Sequence, residues 1–215
     1  MSQRVVRVPT ERLDRWCANF EARHGPTAYA SRDGSLRLDA ADGSHAVIRP
    51  PFGRQVPAGA ATLEAVSSLC APPEDWAVLL VRKGGFAVAR LHGAAVVARK
   101  VGQRHVQGRT KAGGQSQQRF ARRRDNQARA AYEAAAGHAV ERLTGPDVAV
   151  LVAGGDRAAV EAVLEDSRLA GVRAAVAPDW LDVPDPRGAV LDDAILAARA
   201  PTIEHERLTC PPRST

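Results

Sequence analysis

"WAVLLVRKGGFAVARLHGAAVVARK", residues 76–100, is the stretch whose reading decides the fold. Its runs of Val, Leu and Ala are broken at Gly84-Gly85 and at His92-Gly93. Such dipeptides suit tight hairpin turns, because glycine reaches positive φ without a steric penalty. The stretch therefore predicts three antiparallel strands, about 77–82, 86–91 and 95–101.

Working outward, residues 102–117 carry no periodic apolar pattern. A connection of that length inside a folded body is uncommon, and is usually either functional or disordered. Doubled back at about 3.3 Å per residue, it would project on the order of 25 Å. Residues 118–142 then have helical spacing, with Phe120, Ala128, Ala131, Ala135 and Ala139 near one face. Arg119, Arg122, Arg123, Asn126 and Arg129 fall on another face, and Gly145-Pro146 closes the helix. "DVAVLVAG" (147–154) predicts a buried strand and "DRAAVEAVLED" (156–166) a helix opened by Asp156. "VRAAVAP" (172–178) predicts another strand, and "RGAVLDDAILAARA" (187–200) a last helix stopped by Pro201. The order β-β-β, long basic loop, α-β-α-β-α implies an α+β (mixed α/β) fold, a mixed sheet with helices packed on it.

Upstream, residues 9–24 predict a helix capped by Thr10, with Leu13, Trp16, Cys17 and Phe20 on one face. "TAYAS", "SLRLDA" and "SHAVIRP" predict short strands, the last two joined by an Asp42-Gly43 turn. The break "CAPPED" (70–75) places a boundary near residue 73. The expected organisation is a small α+β N-terminal region over 1–73, a principal domain over 74–203 and a flexible tail over 204–215.

Apolar residues make up 45% of the 215, which excludes global disorder. No apolar run reaches membrane-spanning length, and the start "MSQRVVRVPTERLDRW" has no signal-peptide core. Cys17, Cys70 and Cys210 are odd in number and far apart, so no zinc spacing or disulfide framework is expected. A reduced, cytoplasmic protein without cofactor or metal is the expectation. The net charge of +6 is unevenly placed. Residues 99–129 hold ten Lys/Arg against one acid, Asp125, a local charge of +9 that leaves −3 for the remainder. A concentrated basic segment on an otherwise mildly acidic chain faces a polyanion, most often nucleic acid.

Within that segment, "TKAGGQSQQRFARRR" (110–124) sets Gly113 and Gly114 beside Gln115 and Gln117. Glycines allow main-chain N–H groups to approach a ligand closely. A glutamine amide does not titrate, so it is no general base at neutral pH. It can orient a water and donate to developing negative charge, which suits hydrolysis of an already activated ester.

The literal "GGQ" at 113–115, between a β-meander and a helix, resembles the central domain of eukaryotic and archaeal peptide-chain release factors. "DVAVLVAGGDRAAVEAVL" resembles the strand–glycine–helix unit that follows in that domain. Closer still is the Vms-type branch of release-factor-like peptidyl-tRNA hydrolases, including its actinobacterial members, whose G-x-x-Q spacing is matched by "GQSQ" at 114–117. The resemblance covers about residues 75–200. The two registers select different glutamines, Gln115 for GGQ and Gln117 for G-x-x-Q, and the whole run "AGGQSQ…R…ARRRDNQA" fits the second better.

The resemblance implies an enzyme, a codon-independent peptidyl-tRNA hydrolase whose loop enters the peptidyl-transferase centre of the large ribosomal subunit. There the glutamine assists water attack on the ester of peptidyl-tRNA. Arg104, Arg109, Lys111, Arg119, Arg122, Arg123, Arg124 and Arg129 would meet RNA phosphates. No decoding motif is found, so rescue of stalled ribosomes is expected rather than stop-codon reading. The competing readings are a non-catalytic rRNA- or ribosome-binding module and a disordered basic linker. "AGGDRAAV" (153–160) lacks the Lys-Ser/Thr of a nucleotide-binding P-loop, so a tight strand-to-helix turn and no nucleotide cofactor are expected.

Overall fold

The structure is a computed structural model that describes residues 2–103, 115–145 and 147–207, with side chains over 4–103, 129–145 and 147–205. Along the chain run β1 (Ser2–Arg7), α1 (Leu13–His24), β2 (Thr27–Arg32), β3 (Ser35–Ala40), β4 (His45–Arg49) and α2 (Leu63–Leu69). The meander follows as β5 (Asp75–Arg82), β6 (Gly85–His92) and β7 (Ala95–Gln103). Then come α3 (Gln115–Leu143), β8 (Val150–Gly155), α4 (Arg157–Leu164), α5 (Ala170–Ala174), β9 (Val176–Leu181), α6 (Gly188–Ala198) and β10 (Thr202–Arg207). The chain divides into two compact units, 1–71 with 196–215, and 72–195.

The second unit holds a mixed five-stranded sheet in the order β7-β6-β5-β8-β9. The meander is antiparallel, with Leu79 opposite Val88 and Val88 opposite Lys100, whereas β5–β8 and β8–β9 are parallel. Every residue from Trp76 to Val81 is buried. That explains why "WAVLLV" is continuously apolar rather than alternating: a central strand in a sheet covered on both faces has no wet side. One side is closed by Ala135, Ala139 and Leu143 of α3 with Val160 and Val163 of α4, packed against Ala77, Leu79, Val81 and Val88. The α6 helix is tied to the meander by Arg99 Nη1, which donates to Asp192 Oδ1 at 2.9 Å.

Local chemistry accounts for the α4 start, where Asp156 Oδ1 accepts from the Ala158 amide at 3.1 Å. Gly155, at φ 93°, makes the preceding turn, and a Cβ on it would collide with the Val81 carbonyl. The strand-to-helix turn expected at 153–160 is thus what the structure contains. At the hairpins, Gly93 takes φ 54°, but neither Gly84 nor Gly85 lies in the left-handed region. Gly85 is needed for space instead, since a Cβ there would stand 2.5 Å from the Gly102 carbonyl oxygen. Residues 172–174, expected as the start of a strand over 172–178, belong instead to the short helix α5. Leu169 and Val172, three apart, are both buried, and the strand begins only at Val176.

The first unit holds a second five-stranded sheet, β1-β10-β4-β3-β2, all antiparallel. Leu13, Cys17 and Phe20 of α1 close its core on Leu36, Leu38, Ile48 and Ile203. Thr10 does not cap α1. Residues 10–12 make a 3-10 turn with no side-chain cap, and the Thr10 side chain is bonded to Cys70. Residues 204–207, assigned to a tail by the sequence, belong to β10, while 208–215 lie outside the described residues.

Candidate functional site

The meander and the long helix position the basic segment. Strand β7 runs to Gln103 and α3 begins at Gln115, so the connection between them is 104–114, shorter than the 102–117 expected. Arg104, Arg109, Lys111, Gly113 and Gly114 lie in that connection, outside the described residues. Gln115 and Gln117 have helical backbone in the first turn of α3, rather than belonging to a loop. Glutamine is a good helix former, so the α3 ladder extends over them once a long helix is nucleated. Arg119, Arg122, Arg123 and Arg124 follow on the same helix, and their side chains are outside the described residues.

Arg129 is the one candidate whose side chain is described. It is exposed, with Nε 3.8 Å from Glu133 Oε1 one turn on. An exposed i, i+4 pair of this kind contributes about 0.3–0.5 kcal/mol, so it does not hold Arg129 back from a stronger anion. Arg99, counted in the basic segment, is engaged with Asp192.

C-terminal to the arginine cluster, α3 crosses the sheet on small residues. Ala130, Ala131, Ala134 and Ala135 face a recess of about 310 Å³ whose other wall is Val81, Phe86 and Gly102. Tyr132 borders the recess, and burial, followed by the charge of Asp156, pushes its phenol above the ordinary tyrosine range. Phe86 and Gly102 are opposite one another on β6 and β7. The sequence singled out neither. The signal available was a large aromatic and a glycine at the two ends of adjacent strands, which acquires meaning only with the register.

The three tryptophans serve packing. Trp76 is fully buried and donates to the Gly93 carbonyl at 2.8 Å. Trp180 donates to the Gly155 carbonyl at 3.1 Å beneath the Arg157 guanidinium. Trp16 stacks on Phe20 at 5.6 Å. Among the described residues, no cluster of His, Cys, Asp or Glu could hold a metal ion, and no helix is long and apolar enough to cross a membrane.

A family model described as Actinobacteria/chloroflexi VLRF1 release factor matches residues 74–204. No curated protein matches the chain. Among solved structures, an archaeal protein is similar at 16% identity and a TM-score of 0.37, over 85% of this chain and 54% of its own. Archaeoglobus fulgidus Pelota is similar at 12% identity and a TM-score of 0.29, over 92% of this chain and 61% of its own. The chain therefore spans less than two thirds of the length of either structure.

Proposed function

The chain belongs to the Actinobacteria/chloroflexi VLRF1 release factor family, and from that premise we propose that it is a codon-independent peptidyl-tRNA hydrolase freeing nascent peptides from stalled ribosomes or large subunits. The observation that carries this reading is where the family match falls. Residues 74–204 enclose both the basic segment and "GGQSQ", whose last three residues open α3.

The basic residues bind phosphates of ribosomal RNA and tRNA, and hold the glycine–glutamine segment in the peptidyl-transferase centre. Gly113 and Gly114 leave space for the backbone to approach the ester. Gln117, with Gln115 two residues before it, orients a water for attack on the acyl carbon. The bond from that carbon to the ribose oxygen breaks, the water oxygen takes its place, and the proton shed by water ends on the ribose oxygen. The neutral amide supplies position and a donor, never a proton sink. The partners are the large subunit and peptidyl-tRNA, the compartment is the cytoplasm, and no cofactor is required. Domain limits of 1–73 and 74–203 assign this activity to the second region.

The test is peptide release from purified large subunits carrying peptidyl-tRNA. Wild-type protein should release the peptide. Gln117→Ala should keep subunit binding and lose release, with Gln115→Ala and the double variant run beside it. Full release by all three variants would leave the alternative, a non-catalytic ribosome-binding module.

A further inference from the structure

The two segments that bound the connection, β7 and α3, meet at one aromatic ring. We infer that Phe86 is a positioning residue, a clamp that fixes the angle of α3 on the sheet and so determines where the first turn of that helix stands. As a contribution to peptide release, this rests on the function proposed above.

The ring has a neighbour on either arm. On β7, Gly102 sits directly opposite in the register. A Cβ at position 102 would lie 2.7 Å from Phe86 Cζ and closer still to Cε1, so the ring rests against the glycine backbone. Next to it, a Cβ on Gly85 would meet the Gly102 carbonyl oxygen at 2.5 Å. On α3, the His138 imidazole stacks on the ring with centroids 5.4 Å apart and planes 23° apart. His138 is itself held. Its Nδ1 is 3.2 Å from Glu141 Oε2, which accepts from Arg142 Nη1 at 2.7 Å. The same Nη1 donates to the His138 carbonyl at 3.1 Å.

Beyond the ring toward Gln115, the helix faces the recess of about 310 Å³ on alanines and the edge of Tyr132. Alanines bring a helix close but wedge it weakly, so the Phe86 ring, which touches both β7 and α3, adds an angular restraint to the anchorage that Tyr132 and Leu143 give the helix on the core. The lever is long. His138 and Gln117 are 21 residues apart on one continuous helix, about 31 Å at 1.5 Å per residue. A tilt of about 5° at the clamp moves the first turn by roughly 3 Å, and a misplacement of about 1 Å at a reacting centre can cost about 10²-fold in rate.

The decisive variants are Phe86→Leu, Gly102→Ala and the two combined. Spin labels at Ser116→Cys and Val97→Cys, in a Cys210→Ser background with Cys17 and Cys70 left buried, report the position of α3 without reference to activity. Each single variant should broaden or shift the label-to-label distance. Single-turnover release should fall about 10–100-fold at saturating protein, with the half-saturating concentration changed less than twofold. The double variant should recover part of the Gly102→Ala loss, because leucine vacates the space the new methyl needs. Should Gly102→Ala fail to fold, His138→Ala, which removes only the outer face of the stack, is read in the same way. Distances that superimpose on wild type, or release that falls only with binding, overturn the clamp. A wild-type protein that releases nothing overturns the hydrolase, while the distances still decide the clamp.

Discussion

Cys17 and Tyr29 show how a single buried contact sets a pH limit. The Cys17 thiol is pushed from 9.0 up to about 12 by burial and then by the charge of Asp14. The Tyr29 phenol, bonded to it, is pushed from 10.0 to about 12, again chiefly by burial. Both are raised, so the stability they contribute is complete below about pH 9 and is lost as pH climbs toward 12. Thermal unfolding followed between pH 8 and 12 should show the midpoint falling above 9, and Tyr29→Phe should flatten part of that fall. The same burial keeps Cys17 inert to thiol reagents until the first unit opens. At the proposed site the residue-scale expectation concerns the glutamines. On a helical backbone, positions 115 and 117 are about 200° apart around the axis, so one position alone can serve a given target. Release assays on the single alanine variants should therefore separate them, one losing about 10²–10³ in rate and the other little.

At the scale of elements, α3 combines two jobs along its 29 residues. Its C-terminal half is anchored by Ala135, Ala136, Ala139 and Leu143, all buried, while its N-terminal half carries the arginine cluster. Charge and packing are thus separable by mutation. Replacing Arg119, Arg122, Arg123 and Arg124 by glutamine should weaken binding to large subunits and leave the thermal midpoint in place. If all four meet phosphates, the slope of log affinity against log salt should shrink by about 3. A slope equal to that of the wild type would show that α3 does not carry the RNA contacts. The elements most legible in the sequence were those with a repeating cue: the apolar runs and turns of the meander, and Asp156 before α4. The ends of α3 were less so, because glutamine and serine start a helix or a loop with similar ease.

On the scale of the whole molecule, the chain returns to its beginning. β10 lies between β1 and β4, with Ile203 opposite both Val6 and Ile48, so residues 202–207 complete a sheet whose other strands all precede residue 50. Ile203 is fully buried, and Ile203→Ala should destabilise the first unit by about 2–5 kcal/mol, read by denaturant unfolding. Deleting 202–215 should open that unit to protease while 72–195 resists. From the chain alone came the meander, the helix after it, the strand–turn–helix at 150–164 and the basic segment, since each depends on neighbours within a few residues. Tertiary structure alone decided β1 and β10, which have too few apolar residues to alternate and are strands because a partner supplies their hydrogen bonds. It likewise decided the meeting of Phe86, Gly102 and His138. That contact joins positions up to 52 residues apart, and only the β6–β7 register and the crossing of α3 bring them together.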